Sequence, residues 1–351
     1  MSELIGTATA VVDSRVAEIK PAASLPWVWR MLAAFMRLWP TDVRRVDMLW
    51  HALYRRIGGG PYFEVEEIDR NWPTGLQPGV RGRHGQLMFL DLQDWSDRRA
   101  YFSGRFYQQD IDRLLTEVLR PGDQYLDVGA NIGMTMLTAA GRIGPEGRGF
   151  VFEPNPVAIR RLTQHLEENR LINFEAVPAA LSDVAGTSRL FLTGSHTGIG
   201  SLNPLENRRE NFVEIRTVVG NDFAPKLDPA RPTVIKIDVE GHEVQALSAM
   251  SAILARPEVV VIAEISDSML RQAGHSREIL HRHMAEHGFE AFRVELVSAR
   301  WEKLLELFPA EGRDQIPKYD AVFVRPESRI FERVAPFVKR AGASIHSAGE
   351  T

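Results

Sequence analysis

From Gln124 onwards, short apolar runs alternate with stretches that have helical periodicity. The runs QYLDV, GFVFE, TVIKID and VVVIAEI each precede a segment in which apolar residues recur every three or four positions, such as PVAIRRLTQHLEENR or EVQALSAMSAIL. Continuous apolar runs of this length are typical of strands that are buried on both faces. The alternation predicts an α/β domain with a mostly parallel sheet covered by helices. Four further runs are predicted as strands: FEAVPAA, SRLFLT and VEIRTVV, then FEAFRVE near the end of the domain.

The region before this alternation has a different pattern. Trp27, Met31 and Phe35 recur at helical spacing, a second helix is predicted to begin at Thr41, and a turn is predicted at Pro78-Gly79 before the strand GQLMFLDL. The predicted divisions are a flexible lead-in over 1–22, a helical N-terminal extension over 23–84, a main domain over 85–326 and a C-terminal tail over 327–351. The extension is expected to pack on the main domain or on a second subunit, as in a homo-oligomer. The alternatives are a substrate lid and a helix lying on a membrane surface.

Composition and charge exclude several classes of function. The chain has 351 residues, of which 44% are hydrophobic and 25% charged, as in ordinary globular proteins. It has no cysteine, which excludes disulfides, thiol nucleophiles and cysteine-ligated zinc. The formal net charge of −4 gives no electrostatic reason to expect nucleic acid as a partner. No secretory signal or transmembrane stretch is recognisable, so we expect a cytoplasmic protein.

The stretch QYLDVGANIGMTM joins a strand to a helix through a glycine-bearing turn. Its strand ends at Asp127, and the turn contains Gly129, Asn131 and Gly133. In open parallel sheets, ligands bind outside the carboxyl ends of the strands. A carboxylate there repels the pyrophosphate of a dinucleotide, and it suits the ammonium group of S-adenosylmethionine (SAM). The pattern Asp-x-Gly-x-x-x-Gly also lacks the third glycine of the dinucleotide fingerprint.

Acidic residues follow the next strands at matching positions. The second strand ends at Glu153, and an acid at this point commonly binds the ribose hydroxyls of an adenosine. Asn155, which is counted with the binding residues, also fits an N-cap before Pro156. Ser182 and Asp183 follow the third strand and are candidates for contact with adenine, although a simple turn is the alternative.

The fourth strand carries the densest group of charges, in VIKIDVEGHEVQAL. Asp238, Glu240 and His242 lie where this strand meets the next helix, a place where unused charges are costly. One alternative is a capping cluster with an internal Lys–Glu pair. All three residues are candidates for the base that accepts a proton from a reacting hydroxyl.

Four segments, DVGANIG, FEPNP, ALSD and KIDVEGHE, occur in an order and spacing that resemble the FkbM family of SAM-dependent methyltransferases. The resemblance also includes YFSGRFYQQDI upstream and YDAVFVR downstream, and it covers roughly Gly85 to Arg325. One departure is VVGNDFAP, where relatives tend to have a Thr-Leu-Asp run. The resemblance implies a class I methyltransferase Rossmann-like fold with a seven-stranded, mostly parallel sheet and an antiparallel last strand.

The resemblance also implies O-methylation of a hydroxyl on a sugar, glycolipid or polyketide-like natural product, with SAM as donor and S-adenosylhomocysteine as product. By position, Asp127, Gly129, Asn131 and Gly133 would surround the methionine part of SAM. Glu153 would hold the ribose, Ser182 and Asp183 would lie near adenine, and Asp238 would face the methyl group and the acceptor.

Three questions stay open at this stage. His196 and Ser201, in the loop GSHTGIGSL, are candidates for contact with the acceptor or the cofactor, and a flexible surface loop is the alternative. Glu264 at the end of the fifth strand is a further candidate for contact with the acceptor. Magnesium between Asp238 and Glu264 is an alternative to catalysis without a metal. A non-catalytic SAM-binding or scaffold protein and a dinucleotide-dependent oxidoreductase are the other functions that the sequence allows.

Overall fold

The computed structural model describes residues 27–38, 72, 75–82, 84–192, 200–202, 212–298, 303–310 and 316–339. In chain order its elements are α1 (Trp27–Leu38), β1 (Leu76–Arg81), β2 (Leu87–Asp91), α2 (Trp95–Ser103), α3 (Gln109–Val118), β3 (Gln124–Val128), α4 (Met134–Ile143), β4 (Arg148–Phe152), α5 (Pro156–Glu168), β5 (Phe174–Val177), β6 (Ala180–Leu181), β7 (Gly186–Leu192), β8 (Gly200–Ser201) and β9 (Phe212–Val218). They continue with β10 (Thr233–Ile237), α6 (Glu243–Ser248), α7 (Ser251–Leu254), β11 (Val259–Ser266), α8 (Asp267–Gln272), α9 (Arg277–Glu286), β12 (Glu290–Ser298), β13 (Lys303–Pro309), β14 (Lys318–Val324) and α10 (Phe331–Val334).

The main sheet confirms the predicted fold class. Its eight strands lie in the order β13-β12-β14-β11-β10-β3-β4-β5, and β14 runs antiparallel to both of its neighbours. The strands β3, β4, β5, β10 and β11 are parallel, and the order reverses between β3 and β10, which is the point where ligands bind in such sheets. The prediction of seven strands is one short, because β13 adds an antiparallel edge strand beside β12.

Two apolar clusters lie on the two faces of this sheet. One joins residues of α3, α4 and α5 to the sheet, including Leu114, Leu137 and Leu162. The other joins α6 and α9 to the opposite face, including Leu247 and Met284. The helices are therefore distributed over both faces, as the alternation of strand and helix predicts.

The polar segment after β5 forms a second, smaller sheet in the order β6-β9-β7-β8. Its strands β7 and β9 match the predicted runs SRLFLT and VEIRTVV and pair in antiparallel fashion. Strand β8 contains Ser201, of which the structure describes the backbone alone, and His196 lies outside the described residues.

The structure describes packed elements beyond both predicted ends of the main domain. The predicted helical extension over 23–84 contains the helix α1, but it also contains the strand β1, which pairs with β2. The turn predicted at Pro78-Gly79 instead lies inside β1, where the register with β2 shifts between Gln77 and Val80. The predicted tail over 327–351 begins with a packed segment, since Arg333 of α10 forms an ion pair with Asp123.

The segment predicted as a second helix from Thr41 lies outside the described residues. In the described part of the chain, every helix falls short of the length and hydrophobicity that a membrane crossing requires.

Candidate active site

The carboxyl ends of β3, β4, β10 and β11 face a single cavity. Its walls come from the turn after β3, the end of β4, the turn after β10 and the aromatic segment between α2 and α3. Eight of the residues selected from the sequence line this cavity: Gly129, Asn131, Glu153, Asn155, Asp238, Glu240, His242 and Glu264. Asp127, Gly133, Ser182 and Asp183 are not among the lining residues. Among the residues that the structure describes, the carboxyl and lysine side chains that line it are the five acids Asp97, Glu153, Asp238, Glu240 and Glu264 and the two lysines Lys236 and Lys318.

The glycines of the first turn are required by the protein's own packing. Gly129 has φ +79°, and a Cβ atom there would overlap the carbonyl oxygen of Asp238 and approach its carbonyl carbon to 2.9 Å. Gly133, with φ +86°, would place a Cβ atom 2.9 Å from Met136 Cε. The absence of a side chain at Gly129 allows the turn after β3 to lie directly against the end of β10.

Asp127 lies beneath the cavity rather than in its wall. It is fully buried and accepts hydrogen bonds from Tyr125 Oη at 3.1 Å and Thr135 Oγ1 at 2.6 Å. Its Oδ1 atom lies 4.0 Å from Lys236 Nζ. Burial raises the pKa of Asp127, and Lys236 opposes this effect. Asp127 is therefore placed to act on a ligand in this cavity through its charge and through the position of Lys236.

Glu153 follows β4 and stabilises the turn after β3 by a hydrogen bond. Its Oε2 atom accepts a hydrogen bond from the Asn131 amide at 2.7 Å, and its Oε1 atom accepts one from the Asn155 amide at 2.8 Å. Burial raises the pKa of Glu153 to about 7, although these two amide donors favour the ionised form. Asn155 caps helix α5, because its side chain accepts a hydrogen bond from Val157 N at 2.9 Å and Pro156 occupies the first turn.

Ser182 links the loop after β5 to the turn after β10. Its hydroxyl donates to Asp183 Oδ1 at 3.0 Å and lies 3.4 Å from His242 Nε2. Asp183 itself is exposed. The backbone segment Ala179–Leu181, rather than Ser182 and Asp183, provides the cavity wall on this side.

The turn after β10 holds its acids in a strained conformation. Glu240 has φ +51°, an unusual value for a residue with a side chain, and Gly241 follows at φ +99°. Glu243 stabilises this turn by accepting hydrogen bonds from the amides of Gly241 at 3.0 Å and Val239 at 3.4 Å. The predicted capping role therefore belongs to Glu243, while Asp238 and Glu240 face the cavity. Strain of this kind is characteristic of functional turns.

Asp238, Glu240 and Glu264 form a cluster of three carboxyl groups. One oxygen of each lies within 4.8 Å of the others. Burial, followed by the charges of the neighbouring acids, raises the pKa of Glu240 to about 8 and that of Glu264 to about 7. Like charges at this separation cannot all be ionised at low cost, so the cluster retains protons near neutral pH.

Two lysines partly neutralise this cluster. Lys236 Nζ lies 3.2 Å from Asp238 Oδ2, and Lys318 Nζ lies 2.7 Å from Glu264 Oε2. Burial alone would lower the pKa of Lys236, but Asp238 and Asp127 raise it above its usual value. Both lysines are therefore cationic over the physiological pH range.

His242 differs from the acids in its electrostatics. Burial lowers its pKa to about 4, so the ring is neutral near pH 7. Its Nδ1 atom is buried and has no hydrogen-bond partner among the described residues. The ring can accept a proton, but it is a weak base.

Sequence reasoning missed several lining residues. Ser96 and Asp97 come from helix α2, which was not predicted, and Lys318 begins the last strand with no distinguishing signal. Phe106 and Tyr107 lie in YFSGRFYQQDI, so the resemblance pointed to this segment without assigning it a role. Burial and the nearby carboxylates, with Asp238 foremost, raise the pKa of Tyr107. Its hydroxyl is therefore protonated at physiological pH and is a hydrogen-bond donor.

Comparison with known proteins gives one curated relative, the hexuronic acid methyltransferase AglP of Haloferax volcanii. It is 29% identical over 170 residues, and the alignment covers 44% of this chain and 61% of the relative. The chain therefore covers less than two thirds of that relative. Two solved structures align at low similarity. The methyltransferase FkbM from Methylobacillus flagellatus has a TM-score of 0.37 and 13% identity, over 65% of this chain and 52% of the other. The precorrin-6y C5,15-methyltransferase from Geobacter metallireducens has a TM-score of 0.36 and 15% identity, over 62% and 88%.

The profile of the methyltransferase FkbM domain matches residues 127–291. The match begins at the Asp127 turn and includes the acids of β4, β10 and β11 that the cavity brings together. The resemblance predicted from the sequence is thus confirmed for residues 127–291, which match the methyltransferase FkbM domain.

Proposed function

We propose that this protein is a SAM-dependent O-methyltransferase that acts on a hydroxyl group of a sugar, glycolipid or polyketide-like natural product. One observation carries the proposal: the turn after β3, with Glu153, and the carboxyl cluster after β10 face the same cavity. Methyl transfer depends mainly on holding donor and acceptor in one line, which requires such a shared space. The name of the relative AglP supports a hexuronic acid derivative as the first acceptor to test.

The donor side of the cavity fits SAM. Each Glu153 oxygen accepts one backbone hydrogen bond, so lone pairs remain for ribose hydroxyls. Asn131 Oδ1 is buried without a hydrogen-bond partner among the described residues and can accept one from a ligand. The lining residues that the structure describes include five carboxyl groups and two lysines, and carboxyl oxygens suit a cationic ligand better than a phosphate. SAM supplies a methyl group on a sulfonium and leaves as a neutral thioether.

Glu240 is the best candidate for the base that takes the proton from the acceptor hydroxyl. Its pKa of about 8 makes the ionised form a stronger proton acceptor than His242, whose pKa is about 4. Lys236 pairs with Asp238, which is therefore better suited to orient the acceptor than to remove its proton. The sequence left Asp238, Glu240 and His242 as alternative bases, and the pKa values favour Glu240 among them.

The carboxyl cluster also has the oxygen ligands that Mg²⁺ prefers. Asp238 and Glu264 are the pair predicted for a metal, and Glu240 supplies a third oxygen nearby. Each of the predicted pair already has a lysine partner, so the charges are partly compensated within the protein. We therefore propose transfer without a divalent cation, which requires that activity persists in EDTA.

The proposal is tested first by calorimetry and then by transfer. Purified protein is titrated with S-adenosylhomocysteine and with NAD, and is then incubated with SAM and a panel of acceptors: a hexuronic acid glycoside, the matching neutral hexoside and a polyketide bearing one hydroxyl. We expect binding of S-adenosylhomocysteine, no binding of NAD, and an acceptor that gains the mass of one methylene group.

The transfer assay compares two variants: Asp238→Asn, which changes the site, and Asp228→Asn, which is the control. Asp228 precedes β10 and makes a surface ion pair with Arg231. Asp238→Asn should lose transfer, and Asp228→Asn should keep it. Binding of S-adenosylhomocysteine without transfer to any acceptor would favour a scaffold protein, and tight binding of NAD would refute the proposal. A cytoplasmic location and a homo-oligomer through the N-terminal helices stay predictions.

A further inference from the structure

Helix α5 (Pro156–Glu168) binds the outer edge of strand β2 with side chains. Asn169, which caps its C-terminus, accepts a hydrogen bond from Leu87 N at 2.6 Å and donates one to Leu87 O at 2.8 Å. His165 Nε2 accepts from Phe89 N at 2.8 Å, and Arg161 Nη2 donates to Phe89 O at 3.1 Å. Arg161, His165 and Asn169 are spaced by four residues and lie on one helix face. They satisfy the main chain of alternate residues of β2, as a neighbouring strand would.

His165 extends this set of hydrogen bonds to the turn after β3. Its Nδ1 atom lies 2.7 Å from the carbonyl oxygen of Ile132, which belongs to the turn and lines the cavity. A carbonyl oxygen only accepts, so Nδ1 carries the proton, and the Phe89 amide only donates, so Nε2 is unprotonated. The fully buried ring therefore has one neutral tautomer in which both nitrogens are bonded.

The segment attached through β2 also contributes to the cavity. Strand β2 leads into α2, where Ser96 and Asp97 line the cavity. Asp97 accepts a hydrogen bond from the Asp91 amide at 2.7 Å and forms a buried ion pair with Arg161. Residues 76–103 lie outside the matched family domain, yet they supply one wall of its site.

We propose that His165 is a positioning residue that sets the turn after β3 and the wall from residues 76–103 relative to each other. Its Nδ1–H bond fixes the Ile132 carbonyl and hence the donor side of the cavity. Its Nε2 atom anchors Phe89 and hence the wall from residues 76–103, which we assign to the acceptor. The ring thereby couples two halves of the site without touching either ligand. The identity of the two ligands, donor and acceptor, rests on the proposed function.

Two substitutions separate the two bonds. In His165→Asn, the side-chain amide nitrogen lies near the position of Nδ1 and keeps the donor to Ile132, whereas the acceptor for Phe89 is lost. In His165→Gln, the amide lies near the position of Nε2 and keeps the acceptor, whereas the donor to Ile132 is lost. We measure the affinity for S-adenosylhomocysteine by calorimetry, the KM for the acceptor, and hydrogen exchange of the amides of Phe89 and of the turn over 131–134.

His165→Gln should weaken binding of S-adenosylhomocysteine by about tenfold and speed exchange in the turn. His165→Asn should keep this affinity within about twofold, raise the acceptor KM by several fold and speed exchange at Phe89. The control is Met284→Ala, which removes a buried side chain of α9 on the other face of the sheet. It should lower the melting temperature and leave both binding parameters unchanged.

If His165→Asn weakens binding of S-adenosylhomocysteine as much as His165→Gln does, the proposal is wrong. If His165→Gln does not fold, the affinity of His165→Asn for S-adenosylhomocysteine and its KM for the acceptor still decide whether the proposal holds. Changes in both variants that merely follow the melting temperature, as in Met284→Ala, would also overturn it. Failure of the wild-type protein to bind S-adenosylhomocysteine would instead refute the proposed function.

Discussion

The contact between the turn after β3 and the end of β10 gives the sharpest prediction. Gly129 and Gly274 both have φ +79°, but only Gly129 has neighbours where a Cβ atom would stand. Alanine at either position adopts the left-handed conformation at a cost of about 1 kcal/mol. At Gly129 the new Cβ atom would also lie 2.9 Å from the Asp238 carbonyl carbon and 3.2 Å from Val239 Cγ1. Carbon atoms in contact lie at roughly 3.5–4.0 Å, so the end of β10 must move by about an ångström.

This displacement carries Asp238 with it, and a shift of that size in a reacting group lowers the rate by about a hundredfold. We therefore expect Gly129→Ala to lower kcat/KM for methyl transfer by about two orders of magnitude. Gly274→Ala should lower the melting temperature by a few degrees and leave kcat/KM near the wild-type value. The assay is the initial rate of methyl transfer, with thermal denaturation of both variants. Equal effects of the two substitutions on kcat/KM would refute the reasoning, because the backbone strain alone would then explain both.

Three further predictions follow from the site. Glu153→Gln should weaken binding of S-adenosylhomocysteine by ten- to a hundredfold in calorimetry, whereas Glu175→Gln, at a surface ion pair on β5, should not change it. His165 has a folded pKa of about 4, below its unfolded value of 6.5, so the unfolded state binds more protons and stability is lost as pH falls from 6.5 towards 4. Chemical denaturation should show that wild type loses roughly 2 kcal/mol more than His165→Asn between pH 7 and 4.5. If Glu240 is the base, kcat should rise as pH increases through about 8. The variant Glu240→Gln should lose this rise, and its rate should fall at least a hundredfold. Loss of the rise in His242→Gln, with the rise kept in Glu240→Gln, would contradict the assignment.

The sequence predicted most strands of the main sheet because their burial is encoded locally. Runs such as TVIKI and VVVIAEI are buried at every position and apolar at most of them, since both faces of the sheet are covered. The strand β1 was predicted as a turn, because Pro78 and Gly79 are turn residues in most contexts. Here the pairing with β2 tolerates them at an irregularity in the register, which no local pattern reveals.

The candidate site was predictable to the extent that it lies at strand ends. Glu153, Asp238 and Glu264 end parallel strands, and parallel strands bring their carboxyl ends to one edge. Lys318 enters from an antiparallel strand far along the chain, and His165 acts from the last turn of helix α5. Their contributions depend on tertiary contacts between segments that are distant in sequence, so the residue pattern alone could not identify them.

The surplus of acids over lysines in the cavity lining also bears on turnover. Under the proposed function, each reaction removes one positive charge from the bound nucleoside, because the sulfonium becomes a thioether. The electrostatic attraction that helps to load the cavity therefore weakens at the moment of transfer. The spent nucleoside should leave more readily than the fresh one, so that the same carboxyl groups serve both capture and release.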